Sequence, residues 1–157
     1  MNLENYERLA KQATALIESE TDFIANLSNI SALLFMELDD LNWAGFYLMK
    51  QGELVLGPFQ GKPACVRIPV GRGVCGTAAE TNTIQRVYDV HAFEGHIACD
   101  AASNSEIVIP FSIGGEVVGV LDIDSPTIGR FSEIDEEGLK NFMNSVEKVL
   151  NSHTNAA

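Results

Sequence analysis

Glu106-Ile107-Val108-Ile109-Pro110-Phe111-Ser112-Ile113-Gly114-Gly115-Glu116-Val117-Val118-Gly119-Val120-Leu121-Asp122-Ile123-Asp124 decides the fold. β-Branched and apolar residues run in two stretches about a Gly-Gly pair, which predicts an antiparallel hairpin closed by a tight turn. The second arm ends in an alternation, Leu121-Asp122-Ile123-Asp124, which turns both carboxylates to one face of the strand. An exposed face would explain them simply. Val118 and Val120 are expected on that same face, however, and argue that it is covered. Two carboxylates on a covered face are costly unless they meet a cation or hold a proton. A ligand ammonium would satisfy the first condition, and a raised pKa would let one carboxyl act as a general acid. A plain two-residue turn sets Ile107 opposite Asp122 and sends Glu106 to the other face. A bulge near Pro110, where the ladder loses a donor, reverses that.

Upstream of the hairpin the same period of two appears in Trp43-Ala44-Gly45-Phe46-Tyr47-Leu48-Met49. This strand is apolar on both faces, so the sheet is expected to be covered on both sides. Trp43 and Tyr47 share a face with only Gly45 between them. They read either as core or as the walls of a slot for a small ligand, and aromatic walls suit a methyl-sulfur group. Leu54-Val55-Leu56 follows as a strand, and Gly57-Pro58-Phe59-Gln60-Gly61-Lys62-Pro63 reads as a loop by its punctuation. Cys65–Pro69 is the third strand, Val74–Glu80 a short helix after Gly71 and Gly73, and Gln85–Val87 a short strand. Residues 88–105 have no clean period, and a loop of that length in a compact domain is commonly functional.

Helical spacing marks the two ends. Leu3, Tyr6, Leu9, Ala10, Ala13, Leu16 and Ile17 form one stripe within residues 3–18, and a broader stripe starts at Phe23 after Ser19-Glu20-Thr21-Asp22. Ser132-Glu133-Ile134-Asp135 caps a last helix running to about Leu150, with a polar tail after 152. The expectation is a single domain over residues 1–157 with its core at about 20–150. It is an α+β fold with a mostly antiparallel sheet of about six strands and the terminal helices on one face.

The 157 residues carry ten Lys and Arg against 22 Asp and Glu, a net charge of −12. That balance opposes nucleic acid and anionic membranes, which need basic patches. No apolar run reaches membrane-spanning length and the first residues lack a signal-peptide pattern, so a soluble cytoplasmic protein is expected. There the three cysteines stay reduced at rest and read as reactive or buried thiols rather than a disulfide framework.

No Cys-x-x-Cys pair is present. His91, His96 and Cys99 find no fourth ligand at a metal-site spacing, so no metal is expected. Cys75, between Val74 and Gly76, reads most simply as a small buried hydrophobe, although a helix N-terminus there would lower its pKa. Cys99 lies in the aperiodic loop beside Asp100 and is the expected reactive thiol. Backbone amides around Gly71–Gly76 are candidates to hold a carboxylate.

Trp43-Ala44-Gly45-Phe46-Tyr47, Gly57-Pro58-Phe59-Gln60-Gly61, Gly71-Arg72-Gly73-Val74-Cys75-Gly76 and Leu121-Asp122-Ile123-Asp124-Ser125, with all three cysteines, resemble the free methionine-(R)-sulfoxide reductases, single-domain GAF proteins. The resemblance implies a GAF fold, often a homodimer packed through its terminal helices. It implies reduction of free methionine-(R)-sulfoxide with Cys99 catalytic, Cys65 resolving, and Cys75 a third cysteine of less settled part. It also implies an aromatic pocket of Trp43 and Tyr47, and substrate-facing carboxylates Glu106, Asp122 and Asp124. A thioredoxin-like dithiol is the implied reductant, and no metal or organic cofactor is needed. A different class stays open: most GAF domains are non-catalytic small-molecule or redox sensors coupled to an output domain, and no output domain is expected within these 157 residues. Turnover separates the two.

Overall fold

The computed structural model describes residues 1–97 and 101–155. The chain runs α1 (Leu3–Ile17), α2 (Phe23–Glu37), β1 (Trp43–Lys50), β2 (Glu53–Gly61), β3 (Arg67–Pro69), α3 (Gly73–Thr81), β4 (Gln85–Val87), β5 (Ser105–Ile113), β6 (Glu116–Ser125) and α4 (Glu133–Asn155), with a 3-10 turn at Val90–Ala92. The six strands form one antiparallel sheet in the order β3-β2-β1-β6-β5-β4. The α+β expectation holds, down to the strand count.

Helix ends are set by local chemistry. Asn2 and Asn5 cap α1 reciprocally, Asn5 N–H donating to Asn2 Oδ1 at 2.8 Å and Asn2 N–H to Asn5 Oδ1 at 3.0 Å. Asp22 accepts from the Ala25 amide at 2.8 Å to start α2. At the start of α4, Asp135 N–H donates to Ser132 Oγ while Ser132 N–H donates to Asp135 Oδ2.

Alternation along the strands divides the core. Ala44, Phe46 and Leu48 of β1, with Ile107, Ile109, Phe111, Leu121 and Ile123, pack under α1, α2 and α4. Their neighbours Trp43, Tyr47, Val108 and Val120 face the other way, with Leu54, Ile68 and α3 residues Val74, Cys75 and Ala78. Both faces are therefore covered, as the apolar run of β1 predicts. The larger layer carries most of the buried apolar surface; the smaller one, roofed by α3, holds the polar groups.

Two strand details differ from the sequence reading. Gly57–Gly61 is not a loop but the second half of β2. Gly45 pairs with Phe59 and Tyr47 with Leu56, so Gly57 and Pro58 together oppose Phe46 in a bulge. The bulge absorbs Pro58, whose missing N–H would otherwise break the ladder. The second detail is the hairpin. Ser112 pairs with Val117 but Phe111 with Gly119, so Val118 is bulged out. Val118 consequently packs toward the α1/α2/α4 core rather than sharing a face with Val120.

Candidate active site

The Val118 bulge builds the site. It shifts the register by one, so that Glu106 stands opposite Asp124 and Val108 opposite Asp122. Because a one-residue shift exchanges the faces of a strand, Glu106 joins the two aspartates on the α3 side. On the other flank of β6, Trp43 pairs with Asp124 and Gly45 with Asp122. Three adjacent strands thus present Trp43, Asp124 and Glu106 in one row.

All three carboxyls are buried: Glu106 is 7 % exposed, Asp122 5 % and Asp124 9 %. They line one cavity with Trp43 and Tyr47 on its aromatic side. Cys75 and the α3 N-terminus form the roof, and His96 and Ile97 stand at the mouth. Burial pushes the Glu106 carboxyl well above its usual range, and the charges of Asp122 and Asp124 push it further. Asp122 is also raised by burial, with its contacts to Glu106, Asp124 and Cys75 offsetting part of the effect. Its Oδ1 makes no hydrogen bond. A buried carboxyl group that keeps its proton is a ready acid, and one that ionises beside others needs a cation.

Cys75 does not behave as a helix-terminal thiolate. It is 5 % exposed, with Sγ 4.0 Å from Glu106 Oε2. Burial raises the thiol well above its ordinary value, and the surrounding carboxyls Asp122, Glu106 and Asp124 add to this. The helix terminus cannot offset three neighbouring acids. It is a free thiol, whereas Cys65 is disulfide-bonded. Cys99, the expected nucleophile, lies outside the described residues.

The aromatic wall differs in one respect. Trp43 and Tyr47 do share a face, their rings stacked at 5.8 Å. The space over Gly45 is filled from β2 by Phe59, which stacks on Trp43 at 5.1 Å. No slot remains between the two rings; instead they form a continuous wall. The polar tips are tied down: Trp43 Nε1 donates to the Lys62 carbonyl at 3.1 Å, and Tyr47 Oη donates to the Cys65 carbonyl at 2.9 Å. Tyr47 therefore connects the pocket to the backbone of Cys65.

At the glycine turn, Gly71 and Gly73 adopt φ of +89° and +65°, a region closed to most side chains. Gly71 N–H donates to the Gly76 carbonyl and Arg72 N–H to the Pro69 carbonyl, so those amides serve the turn itself. Gly73 and Val74, both lining the cavity, lie in the first turn of α3, whose amides have no intrahelical partner. Arg72 lines the cavity as well, a residue the sequence reading missed; its place between two glycines of positive φ was the available signal. Ser103 and Ile68 were missed too. Of the histidines, His96 lines the cavity, where burial and the nearby His91 lower its pKa. His91 is turned to Asn104, Nε2 to Oδ1 at 2.9 Å.

Comparison with known proteins agrees with this arrangement. The GAF domain model matches residues 25–151. The chain is 60 % identical over 147 residues to the free methionine-R-sulfoxide reductase of Escherichia coli, covering 94 % of this chain and 89 % of that one. Among solved structures, the fRMsr of Staphylococcus aureus in complex with substrate superposes with a TM-score of 0.88 at 56 % identity, covering 93 % and 95 % of the two chains. The free methionine-R-sulfoxide reductase of Neisseria meningitidis in complex with its substrate gives 0.92 at 41 % identity, covering 99 % and 93 %. The GAF-domain match over residues 25–151 and 60 % identity over 94 % of the chain place it in the GAF-domain family of free methionine-R-sulfoxide reductases.

Proposed function

We propose that this protein reduces free L-methionine-(R)-sulfoxide to L-methionine, using its own thiols and an external dithiol. The observation that carries the reading is the row of buried carboxyls Glu106, Asp124 and Asp122 against the Trp43–Tyr47 wall. An amino acid sulfoxide offers a cation, an oxygen that must accept a proton and a methyl-sulfur group, and these three surfaces meet them. The match to reductases at 60 % identity supports the same substrate.

The substrate ammonium pairs with Asp122 and Asp124, and its carboxylate takes the Gly73 and Val74 amides with Arg72 beside them. Its methyl lies on Trp43 and Tyr47. The Cys99 thiolate attacks the sulfoxide sulfur, and Glu106, the carboxyl pushed furthest toward its protonated form, donates to the sulfoxide oxygen. Oxygen passes to the Cys99 sulfur, methionine leaves as the thioether, and Cys99 is left as a sulfenic acid. Cys65 condenses with it, releasing water and forming a disulfide. A thioredoxin-like dithiol then reduces that disulfide by exchange. The disulfide-bonded state of Cys65 and the free thiol of Cys75 support Cys65 rather than Cys75 as the resolving thiol. The cycle needs no metal or organic cofactor.

We also propose a cytoplasmic homodimer packed through the terminal helices, supported by exposed Leu3 and Leu16 on α1 and Ile134 on α4. Sedimentation of the protein and a Leu16→Glu variant tests it, a monomeric wild type overturning it.

For the reaction, racemic free methionine sulfoxide is incubated with excess dithiol and the sulfur epimers are resolved chromatographically. Loss of the R epimer alone, abolished in Cys99→Ser, is expected. If folded, reduced protein consumes neither epimer, the chain is a ligand-binding sensor instead.

A further inference from the structure

One buried nucleophile has no part in the cycle above. Cys75 is a free thiol that condenses with nothing, yet its sulfur lies among the substrate carboxyls. Ligand atoms of Cys75, Glu106 and Asp122 all lie within 4.8 Å of one another. An ammonium group is satisfied by oxygens alone and gains little from a sulfur beside it. The mixed sulfur and oxygen set matches the preferences of a borderline-soft divalent ion.

The geometry is close to that need. For ligand bonds of about 2.0–2.3 Å, two donors on a tetrahedral ion stand about 3.5 Å apart. Cys75 Sγ and Glu106 Oε2 are 4.0 Å apart, a gap that a small rotation of the glutamate closes. The second observation is Asp122, 5 % exposed and lining the cavity, with Oδ1 lacking any hydrogen-bond partner. No ion pair reaches Glu106 or Asp122 among the described residues. His96 lines the same cavity but does not belong to this group of mutually close ligand atoms, so the fourth position is left to water.

We propose that Cys75, Glu106 and Asp122 form a binding site for a zinc-class divalent cation that takes water in its fourth position and excludes the methionine ammonium from the same carboxylates. The metal is an inhibitor, not a participant in turnover. The cation site stands on its own geometry; competition with methionine rests on the reductase reading.

The test uses the full chain with Cys65→Ser and Cys99→Ser, so that Cys75 is its one remaining thiol, titrated with cobalt(II). The expected result is a sulfur-to-cobalt charge-transfer band with tetrahedral visible bands, saturating at one equivalent. Zinc bleaches these bands, and saturating free methionine removes them. Adding Cys75→Ser abolishes the band and weakens zinc affinity by more than about 100-fold, beyond the cost of losing an outer-sphere partner. Methionine affinity measured by calorimetry on each variant shows that the pocket is folded. Methionine binding with no charge-transfer band overturns the cation site and leaves the reductase reading intact. A band that methionine does not disturb places the metal elsewhere and overturns the proposal.

Discussion

Glu106 and Asp124 stand directly opposite each other across β5 and β6, 7 % and 9 % exposed, on the sheet face roofed by α3. Acidic side chains paired across a ladder repel when both are ionised. Burial makes that repulsion larger, because little water is left to screen it. The pair is tolerable when one member keeps a proton, and the shift toward protonation falls on Glu106.

Glu106→Gln keeps the shape and removes the acid. The expected loss in kcat is about 10²–10⁴-fold, the range of a positioned general acid. The pH profile gives the sharper check. Activity that needs protonated Glu106 declines as pH rises through its raised pKa, and this alkaline limb vanishes in the glutamine variant. Steady-state rates on the R epimer across pH measure both; an unchanged limb would assign the acid to another carboxyl.

Asp122 bears on stability in the opposite sense to a salt-bridged carboxylate. Its folded pKa lies above the ordinary 3.8, so between those two values the native state binds more protons than the unfolded one. Stability from this group is therefore full below about 3.8 and lost as pH climbs through the folded value. Asp122→Asn removes the proton linkage. Denaturant melts of both proteins are expected to show the variant gaining on the wild type as pH rises above about 4, the gain levelling off once pH passes the folded pKa of Asp122. A difference that stays flat with pH would mean that Asp122 is not strained by ionisation.

Much of this was legible in the residues. The Gly114-Gly115 turn, the Leu121–Asp124 alternation and the two-sided apolar run of β1 predict the hairpin, the carboxylate face and the double cover. What the sequence did not fix is register. A plain turn sends Glu106 to the wrong face, and only the bulge at Val118 turns it toward Asp124. Bulges have weak local signals because they are set by packing against partner strands, here by Gly119, which lies against the Tyr47 carbonyl. The same holds for Gly57–Gly61, where Gly and Pro punctuate a loop by local preference but sit in a bulged strand by tertiary context. Cys75 is the small buried residue that its neighbours Val74 and Gly76 suggest, but the three acids converging on it are not visible in sequence.

Tyr47 should couple the pocket to the proposed resolving thiol of Cys65. Its hydroxyl donates to the Cys65 carbonyl at 2.9 Å, holding that backbone beside the cavity. Tyr47→Phe keeps the ring on Trp43 and releases the backbone, at a cost of about 0.5–1.5 kcal/mol in stability. The kinetic effect is expected to fall on disulfide formation more than on methionine release. A dimedone trap in single-turnover experiments should therefore capture more Cys99 sulfenic acid in the variant. Equal trapping would show that the hydroxyl does not position Cys65.

Gly45 shows how the aromatic wall depends on a missing side chain. It pairs with Asp122 on one side and Phe59 on the other, and a Cβ there would run into Phe59 Cβ and lie 2.8 Å from the Pro58 carbonyl oxygen. Those neighbours are backbone and a Cβ in the middle of a sheet, so they yield only if β2 moves. Gly45→Ala is expected to destabilise by about 1–3 kcal/mol, the usual cost of overpacking. The strain also has a direction. Displacing Phe59 unstacks it from Trp43, so KM for the sulfoxide should rise more than kcat falls, because the acid cluster on β5 and β6 is not itself altered. Phe59→Gly in the same background removes the clashing Cβ but leaves Trp43 unsupported. Melting temperature should partly recover in that double variant while KM stays high. Recovery of both together would mean that Phe59 acts only as a spacer and takes no part in holding the wall.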